Sequence, residues 1–255
     1  MVSSAHRPRC GRGFSGGANL TEDIACTAKS GKRVDLSGIF GFKDDSSISG
    51  NGACIDLFGA LLKTYHRAPL IAPPEYKALH PSGSAPVIQD SEGDLTLAES
   101  AACVEYICRK HGGGRLFVGA GEEGWADFLY WFHWSNGTLQ PALGRPMIIK
   151  AAGLGEEHYL AKVFKDKIAR SLAMLDARLK EAEWLAGKEF TAADVMVMFS
   201  LTTMRYYNPY SLEGYDGILG YLKRVHGRET YRKAMAKGDP EMELVLGAEP
   251  PKGGA

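Results

Sequence analysis

"SAPVIQDSEGDLTLAESAACVEYI", residues 84–107, is the stretch on which the fold turns. Pro86 stands directly before an apolar run. Proline has no N–H to give to a sheet ladder, so a strand tolerates it at its first residue or at an edge. Taken alone, Pro86 either simply opens a strand or forms a cis Ala85–Pro86 bond that turns the following backbone groups towards a ligand. "PVIQD" and "DLTLA" are two strand runs joined by a tight polar turn around Ser91, Glu92 and Gly93. A helix starts at once in "ESAACVEYICRKHGGG". Its residues Val104, Ile107 and Cys108 form one apolar stripe, and three glycines end it.

The handover between strand and helix is "LAES", residues 97–100. The first N–H groups of a helix have no partner within it and attract an anion. Ser100 is placed to add a hydroxyl to a bound carboxylate, and Glu99 to pair with an amine beside it. A ligand carrying an amino-acid head group satisfies both. The plainer alternative is a capping box in which Glu99, with Thr96, only ties down its own helix.

Working outward, "ACIDLFGALL", residues 53–62, suits a short helix, and the overlapping "LLKTYHR" equally suits a strand rich in β-formers. In "APPEYKALHPSG", Pro73 and Pro74 suit the first positions of a short helix that Pro81 and Gly83 end. The first half is thus strand, short helix, hairpin and helix, an α/β unit on a small sheet. After Gly114 the character changes. "RLFVGAGEEG" is a linker, and the rest is helical. Residues 124–139 carry Trp125, Phe128, Leu129, Trp131 and Phe132. Residues 156–186 space Leu160, Phe164, Ile168, Leu172, Leu175 and Leu179 three or four apart. Residues 192–206 are apolar almost all round, as expected of a helix in the middle of a bundle. A last helix is expected near 215–237, and a loose Pro/Gly-rich tail over 247–255. "FTAADV", 190–195, opens the buried helix, with Thr191 as N-cap and Asp194 three residues on, where its carboxylate reaches back to the cap N–H.

The chain has 255 residues, 45% of them hydrophobic, enough for one large core or two modest ones. Lys+Arg and Asp+Glu number 30 each, so no basic excess points to nucleic acid or an anionic membrane. No apolar run is long enough to span a bilayer. Five cysteines with no CxxC fit neither a disulfide framework nor a zinc site, and point to a reducing compartment. Arg7, Arg9 and Arg12 precede the first acidic residue, Glu22, among Ser and Gly, as in a transit peptide. The segment has no apolar face, so a disordered tail is the expectation for it.

The proline-led hairpin running into "LAESAACVEYI", the linker, and a helical half with "FTAADV" together resemble the cytosolic glutathione S-transferase family. The similarity spans roughly residues 61–246. It is strongest to fungal members, in "APPEYKALHPSGSAPVIQD", "YWFHWSNGTLQP" and "AGKEFTAADVMV". It implies a thioredoxin-like α/β domain over 51–114 and an all-α bundle over 122–246, after an atypical segment 1–50. It implies that Pro86 is cis and that the backbone of Val87 pairs strand-fashion with the cysteinyl part of glutathione. Glu99 and Ser100 match the residues that hold the γ-glutamyl end, and Thr191 and Asp194 match the family's N-capping box. Arg67 either is a solvated charge or reaches the glycyl carboxylate. Tyr130, His133 and Trp134 lie on the helix that lines the family's hydrophobic pocket, although such a stripe also suits a core.

The departure is upstream. The family's first strand and helix carry the Ser, Tyr, Cys or Asn that faces the glutathione sulfur. In "SISGNGACIDLFGALLKTYHR" a helix-like run leads straight into the next strand, and Ser49, Asn51 and Cys54 all stand as candidates. The implied function is conjugation of glutathione, as co-substrate and without a metal, to a small hydrophobic electrophile, a detoxification reaction carried out by a homodimer. Holding a thiol about two pH units below its usual 8.5 or so requires about 2.7 kcal/mol in favour of thiolate. A good hydroxyl or amide donor and the positive end of a helix supply that much. The alternatives are a non-catalytic glutathione-binding or regulatory protein, which the unrecognisable first motif favours, and a glutathione-dependent isomerase or a thiol-transferase using Cys54.

Overall fold

The computed structural model describes residues 42–43, 47–48, 65–66, 74–83, 85–90, 94–206, 208–238 and 242–251. Three short strands form one sheet in the order β2-β1-β3: β1 (Phe42–Lys43), β2 (Ser47–Ile48) and β3 (Tyr65–His66). β1 runs parallel to β3 and antiparallel to β2. The short helix α1 (Pro74–Lys77) begins on a proline, whose missing N–H is not needed in a first turn. Its Tyr76 is buried with Val87 and Ala98.

β4 (Val87–Asp90) and β5 (Leu95–Ala98) form the expected antiparallel hairpin, with Val87 opposite Ala98 and Asp90 opposite Leu95. Helix α2 (Ser100–Tyr106) follows after one residue and runs on as a π-turn over Ile107–His111. The far end of this unit is locked by a buried carboxylate. Asp90 Oδ2 accepts from the Tyr106 hydroxyl at 2.8 Å and lies 3.0 Å from both Lys110 Nζ and His111 Nε2. A charge this deeply placed needs several partners, and the basic end of the helix provides them.

The linker lies on the bundle. Phe117 meets Phe128 and Phe132 edge-on, with centroids 5.0 and 5.3 Å apart. α3 (Trp125–Trp134) passes through a second π-turn, Ser135–Leu139, into α4 (Gln140–Ala151). Pro141 lacks the N–H that Gly137 would accept, and its ring would crowd that carbonyl. Widening the helix just before the proline relieves both. The 23-residue α5 (Tyr159–Glu181) buries Leu172, Leu175 and Leu179. Its buried Asp176 accepts from the N–H groups of Gly217, at 2.7 Å, and Ile218, at 3.2 Å, and so caps α7 (Asp216–Gly227). α6 (Ala192–Leu201) is buried nearly all round, as its sequence implies, and continues into a 3-10 turn, Thr203–Tyr206.

Two expectations need correction. The single last helix is two, α7 and α8 (Glu229–Gly238), separated where Arg228 is extended just after Gly227. The tail expected to loosen at Gly247 is tied down there. The guanidinium of the fully buried Arg205 donates to the carbonyls of Gly247 and Ala248, and Leu212 N–H donates to Ala248 O at 2.8 Å. Arg205 needs buried acceptors, and the tail backbone supplies them.

Candidate glutathione site

The strand at the head of the hairpin starts as its proline suggests. The Ala85–Pro86 peptide is cis and Pro86 is buried. Val87 is fully buried, and its strand pairs with β5 along one edge. Directly opposite, β5 ends at Ala98, and the chain turns into α2 through Glu99 alone.

Glu99 has φ 75° and ψ 116°, in the region that favours glycine. Its carbonyl accepts from Cys103 N–H at 2.9 Å, so it stands at the N-cap, but no side-chain hydrogen bond caps the helix. The Thr96–Glu99 capping box is therefore not formed. Thr96 lies within β5, and its hydroxyl accepts from Gln89 Nε2 at 3.4 Å. The Glu99 side chain is exposed and that of Ser100 half-buried. A non-glycine residue held at positive φ costs about 1–3 kcal/mol and recurs at functional sites. The result is a corner with an anionic side chain, a hydroxyl and the open N–H groups of a helix, beside the start of β4.

Ser100 has a partner that the sequence did not single out. Asn136 Nδ2, in the second π-turn, donates to Ser100 Oγ at 2.8 Å. The signal available was a polar "SN" within an aromatic helix, but the pairing bridges 36 positions and depends on a π-turn that periodicity does not reveal.

Trp134, expected in the hydrophobic pocket, is buried in the bundle core, edge-on to Trp131 at 5.0 Å. It shares the inward stripe of Phe128 and Trp131. Tyr130, 47% exposed, and His133, also exposed, lie on the outer side of the same helix. Ser49, Asn51, Cys54 and Arg67 lie outside the described residues. Cys103 and Cys108 are buried. Burial pushes the Cys103 thiol up to about 12, with a smaller push from the Glu99 charge, so it is protonated at neutral pH. Among the described residues no group of three or more His, Cys, Asp or Glu is placed to hold a metal ion, and no helix is long and apolar enough to cross a membrane.

At the bundle's centre, Thr191 and Asp194 form the reciprocal box. Asp194 accepts from Thr191 N–H at 2.8 Å, Thr191 Oγ1 at 3.1 Å and Leu185 N–H at 3.0 Å. Burial pushes its carboxyl up to about 6, against those donors, which favour the ionised form. Ala192 N–H, another first-turn donor, is taken by the Leu116 carbonyl of the linker at 2.8 Å.

Two family models match: the glutathione S-transferase N-terminal domain over residues 60–110 and the C-terminal domain over residues 142–229. The Escherichia coli disulfide-bond oxidoreductase YfcG is 30% identical over 172 residues, covering 64% of this chain and 77% of that protein. This chain is a glutathione S-transferase family member. Glutathione S-transferase 3 of Schizosaccharomyces pombe is 28% identical over 192 residues, covering 69% of this chain and 76% of that one. Glutathione S-transferase GstB of Escherichia coli is 30% identical over 125 residues, 48% of this chain, and the match spans only 60% of GstB. A solved glutathione S-transferase from Actinobacillus pleuropneumoniae superposes with TM-score 0.64 at 26% identity, covering 74% of this chain and 86% of that one. The Phanerochaete chrysosporium transferase URE2P6, solved with oxidised glutathione, superposes with TM-score 0.62 at 19% identity, covering 82% and 98%. The glutathione S-transferase fold, a thioredoxin-like domain followed by a helical one, thus accounts for the hairpin, the linker and the bundle.

Proposed function

We propose that this protein binds glutathione and conjugates it to a small hydrophobic electrophile. The observation that carries the reading is the Glu99–Ser100 corner: a residue at φ 75° joining the strand opposite Val87 to a helix start. In this reading Glu99 pairs with the γ-glutamyl ammonium. Ser100 and the first N–H groups of α2 hold its carboxylate. The outer edge of β4 at Val87 accepts the cysteinyl backbone as an added strand. The γ-glutamyl end then fixes the direction in which the sulfur points.

The chemical step needs thiolate. A donor from among Ser49, Asn51 and Cys54 stabilises the sulfur anion, and Arg67 takes the glycyl carboxylate. The sulfur forms a bond to the electrophilic carbon while a leaving group, such as halide from an aryl halide, departs with its electron pair. Tyr130 and His133 offer the exposed aromatic surface for that electrophile; Trp134, in the core, does not. No metal enters this scheme. We place the protein in the cytoplasm as a homodimer. The test is retention on immobilised glutathione, followed by thiol conjugation with a generic aryl halide. Failure to bind removes the reading. Binding without conjugation replaces it with that of a non-catalytic binding protein, and no change in conjugation on mutating Ser49, Asn51 and Cys54 in turn removes the thiolate assignment.

A second reading, glutathione-dependent thiol–disulfide exchange, is supported by the similarity to YfcG, whose name is that of a disulfide-bond oxidoreductase. In this reading the nucleophile is glutathione itself or Cys54; Cys103 and Cys108 are buried. Turnover of a small mixed disulfide by glutathione, absent with the aryl halide, selects it.

A further inference from the structure

The helix that starts at Trp125 does not need Asn136 for its core: the residues it buries here are Trp134, Ser135 and Leu139. Asn136 sits instead in the π-turn, half-buried, with its amide on Ser100. A π-turn inserts an extra residue into the helix and re-aims the side chains around it, and such turns concentrate at functional sites. Here it sends a side chain of the helical domain to the residue that opens α2.

We propose that Asn136 is a positioning residue for the head-group corner, committing the Ser100 hydroxyl to donate to a ligand carboxylate. This rests on the glutathione-binding reading above. A serine hydroxyl has one proton to donate and two lone pairs to accept with. The Asn136 N–H occupies a lone pair, so the Ser100 proton cannot point back at Asn136. The open N–H groups of the first turn of α2 are themselves donors and cannot take that proton. One lone pair of the hydroxyl stays open, but its proton, set beside further donors, is matched by an anion. Asn136 thereby turns the Ser100 proton towards the carboxylate end of an amphoteric head group, with the ammonium on Glu99. The helical domain thus takes part in choosing the amino-acid end of the ligand through a residue that need not touch it.

The test is calorimetric titration of glutathione and of cysteinylglycine, which lacks the γ-glutamyl group, into wild type, Asn136→Ala, Asn136→Asp, Ser100→Ala and the Asn136→Ala/Ser100→Ala double variant. Asn136→Ala should weaken glutathione about threefold to tenfold, the range for losing one oriented hydrogen bond. It should leave cysteinylglycine unchanged. Asn136→Asp keeps the volume but can only accept, so it should turn the Ser100 proton away from the ligand and weaken glutathione more than Ala does. In the Ser100→Ala background the Asn136→Ala effect should vanish, a result that a merely structural role would not give. Unchanged glutathione affinity in both Asn136 variants overturns the inference, as does an undiminished Asn136→Ala effect in the Ser100→Ala background. Wild-type protein that binds no glutathione overturns the underlying reading as well, so the two failures are distinguishable.

Discussion

Replacing Asp194 by alanine probes the bundle at its most demanding point. The carboxylate is fully buried and serves two separate backbone groups, Thr191 N–H at 2.8 Å and Leu185 N–H at 3.0 Å. Losing an ordinary N-cap costs about 0.5–2 kcal/mol. Orphaning the buried Leu185 N–H adds about 1–3 kcal/mol. The variant should therefore lose about 1.5–5 kcal/mol near neutral pH, more than the cap alone would cost. The loss should also depend on pH. The folded carboxyl is raised from 3.8 to about 6, so protonation favours the folded state. The stability from this group is complete below 3.8 and is lost as pH rises through about 6. Each pH step below 6 is worth about 1.4 kcal/mol until the unfolded carboxyl also protonates. The deficit of Asp194→Ala should thus be about 1 kcal/mol larger at pH 5 than at pH 8. Urea unfolding of both proteins at the two pH values measures it. A deficit that shrinks on acidification would refute the burial argument. A deficit below about 1.5 kcal/mol would refute the double role.

Glu99→Gly should melt at or above the wild-type temperature, because glycine adopts φ 75° without strain, while glutathione affinity falls; a scanning melt paired with titration checks both. Gly124→Ala should destabilise the bundle by about 1–3 kcal/mol, since a Cβ there would lie 2.3 Å from the Ala186 carbonyl on a residue with φ 81°, and denaturant midpoints will show it. Cys103 should resist a thiol-specific chromogenic reagent in the folded protein at pH 8 and react on unfolding, because burial holds its thiol near 12.

What the sequence made legible was local. The hairpin from Pro86 to Ala98 and the helix after it were carried by alternation, turn residues and a glycine stop within about 30 positions. The Thr191–Asp194 box lies within four residues, and the amphipathic stripe of α5 repeats every three or four. What stayed hidden depends on partners far along the chain. Asn136 reaches Ser100 across 36 positions, Asp176 caps α7 across 41, and Arg205 holds the tail across 42. No local pattern announces such pairs. Composition misled at the tail, where Pro and Gly suggested looseness but backbone carbonyls were needed by a buried guanidinium. At Trp134 the pocket expectation came from the family resemblance, whereas helical phase decided for the core.

The central claim is that the Glu99–Ser100 corner holds the γ-glutamyl end of glutathione. Calorimetric titration of glutathione into wild type, Glu99→Ala and Ser100→Ala tests it most directly, with a thermal melt of each as a control for folding. Wild type should bind, and each variant should melt within a few degrees of it while losing about 1–3 kcal/mol of binding free energy, the range for charge-assisted hydrogen bonds. Equal glutathione affinity in all three proteins would contradict the assignment.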